Sequence, residues 1–316
     1  MEIIENQRIL DLGCGMGGTS LGFQQAGYNI DAGIDQWELA TKSFEKNLHA
    51  KAVLMKLEDY YPLLTDFEMV IGDNGTQIYA PPNVVSGSTS CKDFSKFNRK
   101  RNIYSKRAQA ALDFCRITQA IGPEVFVYEN ILNTPDWVDS ALMEMPGYKV
   151  TKNIVDSQYY GIAQTRRRKF FIGDRNEYIQ IKSPSNYKIV TVREAFDQIT
   201  NNWGYTRHRP ETVEKFSKFK VNKWSPSSDD TEWSGVFRLS WNNVSCVIPD
   251  FSKAQILHPT EDRIITVAEG LALQGFPQWY IPVGGKTAQA KMIGNAVSPG
   301  VSKAIALTIK KIKNWK

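Results

Sequence analysis

The feature that most constrains this chain is an alternation in its first half, where short apolar runs that read as strands are each followed by a stretch with helical spacing. Arg8–Leu12 reads as a strand, followed by a glycine-rich turn and a helix near Gly18–Ala26 that stops at Gly27. Asn29–Ile34 reads as a second strand and Glu38–Leu48 as a second helix. Val84–Ser86 reads as the end of another strand, Ser105–Ile121 as a helix closed by Gly122-Pro123, and Val125–Tyr128 as the strand after it. Lys169–Ile172 predicts one more strand, running into Gly173-Asp174. A chain that alternates in this way builds a mostly parallel sheet with helices on both faces.

The pattern breaks near residue 183. From Ser183 to Phe251 the chain is rich in Trp, Ser, Asn, Lys and Pro, holds Trp203, Trp224, Trp233 and Trp241, and shows no sustained helical period. That composition predicts a small, irregular second domain. Helical spacing returns at Thr266, and Val301–Ile312 reads as a terminal helix packing back on the first domain. The expected division is residues 1–182, then 183–265, then a segment 266–316 that returns to the first domain. A length of 316 residues accommodates this organisation.

Composition narrows the function classes. No apolar run approaches the roughly 18 residues of a membrane span, and Met1–Arg8 is polar and acidic, unlike a signal peptide. A cytoplasmic protein is expected. The formal charge of +6 favours a polyanionic partner, and its placement says more. Lys96, Arg99, Lys100, Arg101, Lys106 and Arg107 crowd one segment, and Arg166, Arg167, Arg168 and Lys169 another. Cys14, Cys91, Cys115 and Cys246 are dispersed with no CxxC pair, and the three histidines are equally scattered. No metal site and no disulfide framework is expected, and a functional cysteine acts alone.

Asp11-Leu-Gly-Cys-Gly-Met-Gly-Gly18 sits between the first strand and first helix. Gly13, Gly15 and Gly18 also satisfy GxGxxG, so a dinucleotide site is one reading. In either case glycines let the backbone approach a ligand, and an acid after the second strand, here Asp35, holds ribose hydroxyls. Asp11 favours the other reading, because an acid before the first glycine suits the cationic amino-acid end of S-adenosylmethionine better than a pyrophosphate.

Cys91 lies in Val84-Val-Ser-Gly-Ser-Thr-Ser-Cys-Lys-Asp-Phe-Ser95, just beyond a strand end, where open α/β sheets place reactive groups. Lys92 and the basic run after it favour a thiolate. Most cysteines are small buried hydrophobes, and Cys115, with Leu112 and Ile117 nearby, fits that description. Cys91, among polar residues, does not. Glu129-Asn130 ends the Val125 strand, and Gln164-Thr-Arg166-Arg-Arg168 leads into the next one. Alone, an acid-amide pair is a cap and an arginine run a solvated face. Their weight comes from occurring together and in this order.

Taken together these motifs resemble those of the DNA (cytosine-5) methyltransferase family, over nearly the whole length. Asp11–Gly18 resembles DLFCGxGG, Gly87–Ser95 resembles GGPPCQxFS, Glu129-Asn130-Ile131 resembles ENV, and Gln164–Arg168 resembles QxRxR. Arg238–Trp241, His258-Pro, Asp262-Arg and Thr266–Pro277 resemble the block that closes a target-recognition domain, and Ile293–Pro299 resembles IGNAVPP. An alternative register with Thr76 in the nucleophile's place lacks the following Phe-Ser and lies too far from Glu129.

The resemblance implies a Rossmann-like, class I S-adenosylmethionine-dependent methyltransferase with a small target-recognition domain. It implies that Cys91 adds to carbon 6 of a flipped-out cytosine. Glu129 would bind ring N3 and Arg168 the O2, with Arg166 supporting the site. The cofactor set would be Asp11, Gly13, Cys14, Gly15, Gly17, Gly18, Asp35, Gln36, Asn295 and Ala296, with Asp73 at the adenine amino group. Lys92, Ser95, Arg99, Arg101 and Gln164 would meet double-stranded DNA, and residues 183–243 would choose the sequence. A monomer is expected, with a cognate restriction endonuclease as a partner. Alternatives are a catalytically weak DNA reader or accessory subunit, and an RNA cytosine methyltransferase.

Several departures stand out. Ser90 and Lys92 replace the proline and glutamine flanking the nucleophile, Ala163 replaces a proline, and Gly13 replaces a phenylalanine near the cofactor. Loss of proline predicts a more mobile nucleophile loop.

Overall fold

A computed structural model describes residues 7–64, 81–89, 94, 102–201, 204–225, 235–252 and 255–316. The chain divides into two compact units. The first comprises Met1–Val155, Arg167–Lys182 and Ser302–Lys316, and the second Asp156–Arg166 and Ser183–Val301.

The first unit is built on a seven-stranded sheet. Its strands are β1 (Arg8–Leu12), β2 (Asn29–Asp35), β3 (Ala52–Leu54), β4 (Val84–Ser88), β5 (Val125–Asn130), β6 (Lys149–Asp156) and β7 (Arg167–Asp174). They lie in the order β3-β2-β1-β4-β5-β7-β6. From β3 to β5 every pairing is parallel, and β7 then runs antiparallel to β5. The chain steps outward from β1 to β2 and β3 and then returns to place β4 on the other side of β1. That reversal makes a topological switch point at the carboxyl ends of β1 and β4, where open α/β sheets hold their ligands.

Helices α1 (Gly18–Gln25), α2 (Glu38–Leu48), α3 (Leu57–Leu64), α4 (Lys106–Ile121) and α5 (Asp136–Met143) belong to this unit. The predicted helix after residue 105 forms because Ser105 caps it, accepting from the Ala108 amide, and Gly122 ends it at φ 66°. Every residue of β5 is buried, as expected of a strand covered on both faces. Leu12, Val85, Phe114, Ile117, Phe126, Tyr128 and Phe171 form the centre of the core. Each large side chain here contributes about 1.5–3 kcal/mol. Gly87 admits no side chain, because a Cβ there would run into the Phe114 ring.

The second unit contains more regular structure than its composition predicts. Helices α6 (Val192–Phe196) and α7 (Pro210–Ser217) lie in the segment read as lacking helical period. Strands β8 (Trp224–Ser225), β9 (Val236–Arg238) and β10 (Gln255–Leu257) form a small mixed sheet. Helices α8 (Val267–Gln274) and α9 (Lys286–Asn295) complete it, and α10 (Pro299–Lys313) leaves it for the first unit. The return therefore falls at Ser302 rather than at residue 266. The reason is local bonding. Glu269 of α8 takes a two-pronged bond from Arg263, at 2.8 Å on each oxygen, and Gln274 donates to the Ala296 carbonyl at 2.6 Å. Asp156–Arg166 joins this unit for the same kind of reason, as Gln164 and Arg166 are bonded into it.

Candidate active site

The sheet register brings three motif-bearing strand ends side by side in the first unit. Leu12 pairs with Gly87, and Ser88 pairs with Glu129. The turn after β1 presses on the end of β4 so closely that Gly13, at φ +72°, could carry no side chain without striking the Ser88 carbonyl. The family's phenylalanine therefore has no room at this position.

The glycine turn is closed from beneath by β2. The Gly13 and Cys14 amides donate to the Ile34 carbonyl, at 2.7 and 3.0 Å. Asp35 accepts from the Gly15 amide at 2.9 Å and from the Trp37 amide at 2.8 Å. Gly17 starts α1 in the left-handed region, with no side chain capping the helix. A Cβ on Gly15 would meet nothing within 4 Å, so this side of the turn is open. Gln36 beside it is exposed. Burial raises the Asp35 carboxyl above its ordinary pKa, against the pull of the amides that donate to it.

Asp11 is placed differently from the expectation that it meets a ligand's ammonium. It is buried below the turn, where Ser20 donates to one carboxylate oxygen at 2.6 Å and Ser86 to the other at 2.7 Å. Burial is also the main cause of its raised pKa. Its role is to tie β1, β4 and α1 together. The Cys14 side chain is likewise buried, against Gly33.

At the end of β5, Glu129 is held by both neighbouring strands. Ser88 of β4 donates to its Oε2 at 2.7 Å, and Arg168 of β7 lies 3.2 Å from its Oε1. The side chains are only 10% and 16% exposed, which strengthens the pairing relative to a surface ion pair. Asn130 is buried and donates to the Tyr128 hydroxyl at 3.2 Å, while its Oδ1 accepts from the Ile131 amide at 2.8 Å.

The basic run around β7 is not one charged face, because alternate strand residues point opposite ways. Arg167 is exposed, Arg168 meets Glu129, and Lys169 is buried on Asp139 at 2.7 Å. Arg166, in the second unit, is buried with its guanidinium on the carbonyls of Ile248, Gly294 and Ala296, at 3.2, 2.9 and 3.2 Å. Gln164 has no exposed surface. Its amide group donates to the Leu273 carbonyl and to Gln274, and its oxygen accepts from the Ile248 amide at 2.8 Å. These two residues thus hold the second unit together, where motif position suggested a supporting arginine at the site and a DNA contact. Of the C-terminal pair, Asn295 is exposed, and the Ala296 carbonyl is already shared by Arg166 and Gln274. Asp73, Cys91, Lys92, Ser95, Arg99 and Arg101 lie outside the described residues.

A family model described as C-5 cytosine-specific DNA methylase matches residues 7–311. The chain belongs to this family. Among relatives, type II methyltransferase M.HgiDI of Herpetosiphon aurantiacus is 28% identical over 97% of this chain and 95% of its own length. Type II methyltransferase M.HindV of Haemophilus influenzae is also 28% identical, covering 96% of each chain. A prophage-encoded Escherichia coli protein assigned as a DNA modification methyltransferase has the same fold, with a TM-score of 0.77 at 21% identity, covering 98% of this chain and 100% of that one.

Three of the four cysteines of this methylase are poorly suited to form a thiolate. Burial pushes Cys14 well above the usual thiol range and raises Cys115 and Cys246 to about 12. What sequence reasoning missed in this methylase is the hydroxyl layer of Ser20, Ser86, Ser88 and Thr89. Its signal was available at Ser88, which lies where the family pattern has glycine.

Proposed function

We infer that this protein transfers a methyl group from S-adenosylmethionine to carbon 5 of cytosine in a specific duplex sequence, with Cys91 as its nucleophile. The observation that carries this reading is the Glu129–Arg168 pair at a strand end beside the switch point, in a chain of this family whose three other cysteines have their thiol pKa values raised by burial. The open side of Gly15, the uncapped start of α1 and the rim position of Asp35 fit S-adenosylmethionine. Gly13–Gly18 and Asp35 would hold it, with Gln36 beside them. When bound it supplies an electrophilic methyl carbon.

Carbon 5 of cytosine is too weak a nucleophile to accept that carbon unaided. Addition of the Cys91 thiolate to carbon 6 places negative charge on the ring, and a proton delivered to N3 through Glu129, with Arg168 at O2, stabilises it. Carbon 5 takes the methyl group, the bonding pair staying on the donor sulfur, and transfer of the carbon 5 proton to solvent then breaks the carbon 6–sulfur bond and expels the Cys91 thiolate. The target must be flipped from the helix. Lys92, Ser95, Arg99 and Arg101 would grip phosphates, and residues 183–243 would read the major groove. No helix among the described residues is long and apolar enough to cross a membrane. A monomer acting in the cytoplasm beside a cognate endonuclease completes the reading, and the type II names of the relatives favour the endonuclease.

Bisulfite sequencing of DNA from cells expressing the protein tests the reading. One short sequence context should carry 5-methylcytosine, and Cys91→Ala should erase it while DNA binding survives. No methylation above background, persistence of the signal in Cys91→Ala, or tritiated methyl transfer to RNA alone would overturn it.

A further inference from the structure

Ser88 and Thr89 precede Ser90-Cys91, at positions where the family pattern has glycine and proline. Both carry hydroxyls that bond across to consecutive residues of β5. Ser88 donates to Glu129 Oε2 at 2.7 Å. Thr89 shares a hydrogen bond of 2.5 Å with the Tyr128 hydroxyl, which also accepts from Asn130 at 3.2 Å. The Asn130 amide lies 3.5 Å from the Thr89 carbonyl as well. Thr89, Tyr128 and Asn130 are all buried, so this strand end is fixed, with Ser88 directed at the carboxylate. Neither glycine nor proline has a hydroxyl to make these bonds.

We propose that Ser88 is a positioning residue for Glu129, holding one carboxylate oxygen while Arg168 holds the other, so that the carboxyl group meets the cytosine ring in a single orientation. A carboxylate bonded on one oxygen alone swings about its terminal torsion, which is broad and roughly two-fold. Held by a hydrogen bond on one oxygen and an ion pair on the other, from neighbouring strands, it is preorganised, and the transition state gains from groups that need no reorientation. Thr89, tied to Tyr128, supplies the stiffness that a proline gives elsewhere.

This inference rests on the methyltransferase reading and is tested in the full-length protein with unmethylated plasmid DNA and tritiated S-adenosylmethionine. Single-turnover methyl transfer by Ser88→Ala should fall about tenfold, as expected for loss of one hydrogen bond to a charged group. Plasmid affinity, the KM for S-adenosylmethionine and the melting temperature should stay at wild-type values. Ser88→Thr, which restores a hydroxyl, should recover the rate to within about threefold. An unchanged rate in Ser88→Ala, a melting temperature that falls in step with the rate, or failure of Ser88→Thr to recover it would overturn the proposal. No transfer by the wild-type protein would instead overturn the methyltransferase reading, and this inference with it.

Discussion

Gln164, Arg166 and Arg168 alternate along one short stretch, yet the first two are built into the second unit while the third meets Glu129 in the first. Arg166 gives its guanidinium to three backbone carbonyls and Gln164 spends its amide on Leu273, Gln274 and Ile248. Arg168 faces a single carboxylate from the adjoining strand end. A motif can therefore mix a group that pairs with a neighbouring strand's carboxylate with groups that hold the backbone around it. The second unit depends on the holding kind throughout. Arg238 likewise serves the carbonyls of Phe216, Phe219, His258 and Glu261, and pairs with Asp262. Short strands and short helices leave many backbone groups unpaired, and arginine, with five donors, satisfies several at once.

One substitution made at both arginines separates the two roles most sharply. Lysine keeps the charge and loses the planar fork. At Arg168 it should lower the rate of methyl transfer about 100-fold, the order seen when a preorganised donor is removed. The Glu129 carboxylate keeps Ser88 and a nearby cation, so the melting temperature should barely move. At Arg166 the same change strands buried carbonyls and should cost about 2–3 kcal/mol of stability, with near-normal activity per folded molecule. Thermal melting beside single-turnover assays reads both effects. Equal loss of activity with unchanged melting in the two variants would erase the distinction. Gln164→Leu, similar in volume, leaves the Ile248 amide without its acceptor and should cost about 2 kcal/mol. A Gln164→Leu protein of full stability that binds plasmid weakly would return this residue to the DNA surface.

Much of the first unit was legible because period and punctuation agreed. Glu38–Leu48 forms the predicted helix residue for residue, and Ser105 with Gly122 bounds α4 as capping chemistry requires. Glu129 and Asp35 stand at the strand ends the alternation predicted for them. The second unit was less legible. Pro210–Ser217 opens with proline at the first helical turn, a recognisable start, but only Phe216 of that helix is buried, so no apolar stripe announces it. Gln164 and Arg166 resisted reading for a different reason. Sequence records that a side chain is polar, and only the fold reveals that its partners are backbone groups more than 80 residues away.

The glycine turn repeats the same division on a smaller scale, with Asp11 in the scaffold and Asp35 at the open rim. Substitution by asparagine should tell them apart. Burial raises the folded-state pKa of Asp11 above the ordinary 3.8, so the folded protein holds this proton more tightly than the unfolded chain. The protonated group's contribution to stability is complete below 3.8 and is lost as pH rises through the higher folded pKa. Asparagine has no such loss. Asp11→Asn should therefore gain stability relative to wild type as the solution goes from acid to neutral, and S-adenosylmethionine affinity should stay within about twofold because one serine hydroxyl keeps its acceptor and the other can turn to accept from the new amide group. Asp35→Asn should weaken that affinity about tenfold, since a neutral amide accepts more weakly from ribose hydroxyls than a carboxylate does. Denaturant unfolding across pH, paired with calorimetric titration of S-adenosylmethionine, measures both. If Asp11→Asn lost as much affinity as Asp35→Asn, Asp11 would belong to the ligand after all, and the scaffold would need another anchor between β1 and β4.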